Sequence, residues 1–121
     1  MIVFRREEFL GRENPTPGKT HRTEILSAEE KAKELGGLFG VMVVGGHGNY
    51  HYHEKRESVI FILQGEGAER HEGEETPVKA GDVIFIPPGE KHMLINKSDR
   101  DLRYIEFFTH PPLKADFIEV K

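Results

Sequence analysis

The sequence predicts an all-β sandwich or barrel. Short, strand-length apolar runs recur from Leu38 to Phe108. Clusters of Gly, Pro, Asn, Asp and Ser punctuate them at near-regular intervals, the spacing of antiparallel strands rather than of βαβ units. One segment alone carries a helix-start signal. At 121 residues the chain is a single domain, able to bury roughly two thirds of the surface its unfolded form exposes.

The elements follow in order. Arg12-Glu-Asn-Pro15-Thr-Pro17-Gly18 is turn-prone and excludes helix, so residues 1–19 are expected to form a surface arm with a short strand at Ile2–Phe4. His21–Leu26 reads as a strand. Ser27-Ala-Glu-Glu30 is a capping box, in which hydroxyl and carboxylate satisfy each other's unpaired amides. It predicts a helix over Ala28–Leu35, closed by Gly36-Gly37. Residues 1–37 are thus expected to be an N-terminal arm with short strands and one helix, and residues 38–121 the barrel. Within the barrel, strands are predicted at Leu38–Val44, Tyr50–His53, Val59–Leu63, Ala68–His71, Val83–Ile86, His92–Ile95 and Leu102–Phe108, with a last edge strand in Phe117–Val120.

Val59–Leu63 and Val83–Ile86 are apolar on both faces, so each needs cover on both. One face fills the interior. The other requires a second sheet or a second subunit, and a homodimer is the expected assembly.

Bulk composition narrows the function. Lys and Arg number 17 against 21 Asp and Glu, a net charge of −4, so no basic excess is available for nucleic acid. Without cysteine, histidine and carboxylate are left as the strong protein ligands for a metal. No apolar run approaches the ~20 residues that span a bilayer, and the N-terminal residues do not resemble a signal peptide; a cytoplasmic location is expected.

Two stretches carry the chemistry. In the first, His51 and His53 alternate with Tyr50 and Tyr52, which on a strand puts both imidazoles on one face. In the second, Pro87 and Gly89 form a turn that re-aims the chain, so that His92 opens the next strand toward the interior and Asn96 can tie down its end. His47 sits in a glycine loop, and His21, His71 and His110 have no such context. Tyr104, Glu106 and Phe108 share one face of the late strand, which is either an inward, ligand-touching face or an outward polar one.

On these residues the chain resembles the cupin family of small β-barrels. That family's first motif runs glycine, five residues, His-x-His, three or four residues, glutamate, six residues, glycine. Its second runs glycine, five residues, Pro-x-Gly, two residues, histidine, three residues, asparagine. Gly45, His51, His53 and Glu57 meet the first, and Gly81, Pro87, Gly89, His92 and Asn96 meet the second. The departure lies between Glu57 and Gly65, where seven residues stand in place of six. Counting back from Gly65 puts Ser58 at the ligand position. A one-residue offset turns a strand side chain outward unless a bulge absorbs it.

The resemblance implies a jelly-roll, double-stranded β-helix with a divalent metal held by His51, His53, His92 and Glu57, or by three histidines if Glu57 is turned out. Imidazoles with at most one carboxylate suit Fe, Mn, Ni, Co, Cu or Zn and offer too few oxygens for calcium. It also implies a small-molecule substrate and an enzyme, dioxygenase-like first, isomerase or decarboxylase next. The alternatives are a non-catalytic ligand-binding or sensor module and a metal that is structural only.

Overall fold

The computed structural model describes all 121 residues. The chain is nearly all β: one short helix, α1 (Arg6–Gly11), and ten strands. These are β1 (His21–Leu26), β2 (Leu35–Met42), β3 (His51–Tyr52), β4 (Ser58–Gln64), β5 (Glu66–His71), β6 (Glu74–Lys79), β7 (Val83–Ile86), β8 (His92–Asn96), β9 (Leu102–Thr109) and β10 (Ile118–Glu119). They form two five-stranded antiparallel sheets, ordered β1-β2-β9-β4-β7 and β10-β3-β8-β5-β6. This is the jelly-roll expected from the sequence.

Alternation along the strands divides the apolar residues between two layers. Leu38, Ile60, Ile62, Leu94, Tyr104 and Phe108 point between the sheets and form the main core. Phe39, Val41 and Leu63 point outward from the first sheet and are covered by Phe9 of α1. Phe9 is 1% exposed; its burial contributes about 2–3 kcal/mol, which is what holds so short a helix in place. Arginines fasten both ends of α1. Arg6 donates to the Leu63 carbonyl at 3.2 Å and Arg103 to the Phe9 carbonyl at 2.8 Å.

The helix predicted over Ala28–Leu35 is instead a single 3-10 turn, Ala28–Glu30. The capping box is present, with the Ser27 amide donating to Glu30 at 2.8 Å. Lys31 then takes a left-handed conformation (φ 68°) and ends the turn. Gly36 and Gly37, expected to close that helix, belong to β2. There they pair with Phe108 and Phe107, and a Cβ would stand only 2.6 Å and 2.8 Å from those rings. The short strand expected at Ile2–Phe4 is absent, and a helix follows it. Sequence reasoning also missed β6, a mostly exposed edge strand without apolar alternation, where Pro77 is tolerated because the outer edge needs no donor.

Candidate metal centre

His51 and His92 are directly paired across β3 and β8, and His53 follows two residues beyond His51 on the same face. All three are buried, with ring centroids 4.3 Å (His51–His92), 4.8 Å (His51–His53) and 5.8 Å (His53–His92) apart. One potential ligand atom from each lies within 4.8 Å of the others.

Each Nδ1 is engaged. That of His51 donates to the Asn49 carbonyl at 2.6 Å, that of His53 to the Asp116 carbonyl, and that of His92 to Glu69 Oε1 at 2.7 Å. An acceptor at Nδ1 fixes the proton there and leaves Nε2 of each ring with a free lone pair. The Nε2 of His92 is buried and has no hydrogen-bond partner. Burial, with His92 beside it, pushes the His51 imidazole down to about 3, and burial also lowers His53. Imidazoles oriented from behind and unpaired in front are the donor set a transition metal requires. The triad fits such an ion.

Glu57 is not brought to this group. It is exposed, whereas Ser58 beside it is 1% exposed and faces the interior opposite Phe108 and Ile86. The backbone of Glu57 pairs with Thr109, its amide donating to Thr109 Oγ1 at 2.9 Å, and this fixes the facing of both residues. A bulge does absorb an extra residue of β4, but at Ile62–Gln64, the far end of the strand. It leaves Glu57 turned outward.

The remaining motif residues act on the backbone. Gly89 donates to the His53 carbonyl at 2.7 Å and has φ +83°, which ties the second motif's turn to the first motif's strand. Asn96 donates to the carbonyls of Met42, Val43 and Arg100 at 2.9–3.1 Å and accepts from Ser98, pinning the end of β8.

Several site residues lie outside the two motifs. Asp116, on the C-terminal tail, accepts from the amides of Glu54, Lys55 and Arg56 at 2.8–3.0 Å. Phe117 stacks on His51 at 4.5 Å. Arg56, 1% exposed, donates to the carbonyls of Thr109, His110, Pro112 and Leu113 and lies 4.3 Å over the Phe108 ring. In sequence Arg56 reads as part of a solvated charge cluster; in the fold it clamps the tail.

The triad opens on a cavity of about 360 Å³, a volume in the ~300–1,000 Å³ range of small-molecule sites. The Tyr104–Glu106–Phe108 face of β9 points inward, and Tyr104 and Glu106 line the cavity across from the histidines. Burial pushes both the Glu106 carboxyl and the Tyr104 hydroxyl up from their ordinary values.

A double-stranded β-helix with histidines converging inside it defines a class of small-molecule-binding barrels. Residues 38–108 match the family model of the cupin domain, and the chain belongs to the cupin family. An oxalate-binding protein of Thermotoga maritima is 33% identical over 90 residues, which cover 73% of this chain and 74% of that one. The crystal structure of a predicted oxalate decarboxylase, also from Thermotoga maritima, superposes with a TM-score of 0.69 at 29% identity, over 76% of this chain and 81% of that one. A double-stranded β-helix protein of Klebsiella pneumoniae shares the fold over nearly the whole chain, with a TM-score of 0.77, 21% identity and coverage of 98% and 97%. No helix is long and apolar enough to cross a membrane.

Proposed function

We propose that this protein is a metal-dependent cupin enzyme acting on a small organic molecule that presents oxygen donors to a three-histidine centre. The observation that carries this reading is the convergence of His51, His53 and His92, each with Nδ1 engaged and Nε2 free, at the wall of a ligand-sized cavity. A divalent transition metal held there would supply Lewis acidity and, if redox-active, dioxygen chemistry. The chain's own residues do the rest. Asn49, Glu69 and Asp116 hold the rings in one tautomer, Phe117 covers one face of His51, and Leu38, Ile60 and Leu94 keep the cavity dry. Three protein donors leave positions for substrate on a five- or six-coordinate ion.

The reaction classes separate by product. Dioxygenase chemistry, the first choice, consumes O2; decarboxylation releases CO2; isomerisation does neither. The test is metal analysis of the purified protein, followed by oxygen uptake and CO2 release with 2-oxo acids, diketones, dicarboxylates and thiols. About one divalent ion per chain with turnover on one class supports the reading. A protein that takes up no divalent metal on dialysis against Fe, Mn, Ni, Co, Cu or Zn overturns it.

Non-catalytic capture of a small ligand is a second reading, favoured by the Thermotoga relative named for binding oxalate. Saturable ligand binding by a metal-loaded protein that turns over none of the panel would select it. For assembly we infer a homodimer through the outer face of β7, where Val83 and Phe85 are 58% and 54% exposed. Light scattering at the mass of one chain would remove that inference.

A further inference from the structure

The wall facing the triad carries a second polar group that the metal does not explain. Arg22, Gly40 and Tyr104 form one cross-strand row over β1, β2 and β9. Gly40 has no side chain, and a Cβ there would lie 2.2 Å from the Tyr104 ring. The phenol therefore crosses β2 and sets its hydroxyl beside the Arg22 guanidinium. In the next row Glu106 lies between Leu38 and Ile60, with the buried Ser58 hydroxyl beside its carboxyl.

Arg22, Tyr104 and Glu106 all line the cavity that holds the triad. Arg22 forms no ion pair. Of the other cations on the lining, Arg56 is committed to four tail carbonyls and Lys114 sits on the exposed tail. The Arg22 guanidinium, at the exposed rim of the cavity, feels the Glu106 charge but has no carboxylate within ion-pair distance, so its fork of donors is open to an oxyanion. The Tyr104 hydroxyl, pushed up from its ordinary value by burial and so kept as a donor, can bond to the same oxygens. Glu69, bonded to His92, also reaches the lining, and Leu38, Ile60, Leu94, Leu113 and Phe117 make up its apolar part. A two-carbon dianion would be stripped of water against these side chains with no apolar surface of its own to set there.

We propose that Arg22 and Tyr104 form an oxyanion-recognition pole for a carboxylate with an apolar body, a ligand larger than oxalate, whose second oxygen donor reaches the histidines. The last clause rests on the metal reading above; the pole itself does not.

Calorimetric titration tests this, using 4-methyl-2-oxopentanoate, its methyl ester and oxalate as probes on protein of measured metal content. The branched 2-oxo acid is expected to bind more tightly than oxalate. Arg22→Gln, on an edge strand, should weaken the acid by about 10–100-fold, the loss of a charge-assisted bond, and leave the ester and the metal content unchanged. Arg22→Lys should fall between, and Tyr104→Phe should weaken the acid by a few-fold. Oxalate binding as tightly as the branched acid, or Arg22→Gln weakening acid and ester alike, overturns the pole. The two readings fail separately. A protein without metal that still binds the acid through Arg22 keeps the pole and loses the metal centre. Full metal content with no dependence on Arg22 does the reverse.

Discussion

His92 reaches the centre by a different route from His51 and His53. It opens β8, which lies between β3 and β5 with a neighbour on each side. The partner of its Nδ1 is a buried side chain, Glu69, on the adjacent strand. His51 stands on a two-residue strand and His53 just past its end. Their Nδ1 partners are backbone carbonyls, one from the preceding loop and one from the C-terminal tail. The tail supports this half in three further ways, through the Asp116 carboxylate, the Phe117 ring and the pairing of β10 with β3. One histidine of the triad is therefore built into the barrel, and two depend on segments that pack onto it. Barrel strands open only with global unfolding, whereas tails and loops open locally at lower free energy. The two halves should respond differently to the same insult.

The largest effect is expected at the built-in position. His92→Ala removes the ligand and leaves Glu69 buried without its partner, so metal affinity should fall by more than about a hundredfold. Metal analysis after dialysis reads this directly, and full retention of metal would refute the centre. Next comes the residue behind it. Glu69→Leu strands the Nδ1–H of His92 without an acceptor and should lower affinity by about 10–100-fold. Glu69→Gln still offers a carbonyl oxygen at that point and should recover most of the loss. Equal losses in the two variants would mean that charge, not orientation, is what Glu69 provides.

The loop-held half gives a smaller and more local response. Asp116→Ala removes the carboxylate that accepts from three backbone amides at a partly exposed site, a destabilisation of about 1–2 kcal/mol, while the carbonyl that accepts from His53 remains. Metal affinity should drop only several-fold. Hydrogen exchange sharpens the contrast. In metal-loaded protein, a chelator should speed exchange at the amides of Glu54, Lys55, Arg56 and Val120, all held by or to the tail region, and leave those of β8 near their original rates. Uniform acceleration across both groups would show that the centre opens as one unit.

The same contrast explains what the sequence made legible. Histidine spacing and the Pro87–Gly89 turn are local, so the triad and most of the strands could be placed from residue order alone. The supports are not local. Glu69 meets His92 only through the pairing of β5 with β8, and Asp116 lies 60 residues or more from the amides it caps. Arg56 has the composition of a surface turn, and its burial is decided by the tail folding back over it. The helix expected over Ala28–Leu35 does not form, for a related reason. The capping box at Ser27 is a real local signal, but the chain beyond it is drawn into β2 by aromatic rings from β9 that fill the space over Gly36 and Gly37. Arg22 and Tyr104 likewise meet across a strand whose glycine gives no hint of what crosses it.

The smallest expected effect is at Glu57, and it is the most informative about spacing. The residue fits the motif when counted forward from His53 and misses it by one when counted back from Gly65. In the fold the backward count prevails: Ser58 is inside, Glu57 outside, and the bulge that could have restored the facing sits at the other end of β4. Turning Glu57 inward would require breaking its pairing with Thr109 and expelling Ser58 from the interior. Glu57→Gln should therefore leave metal affinity, metal preference and melting temperature within error of the parent protein. Ser58→Glu would place a carboxylate on the interior face beside Glu106, where a second buried acid costs stability rather than adding a ligand. A clear loss of metal in Glu57→Gln would show that the loop rearranges around the ion, and that the loop-held half is more mobile than its contacts with the tail suggest.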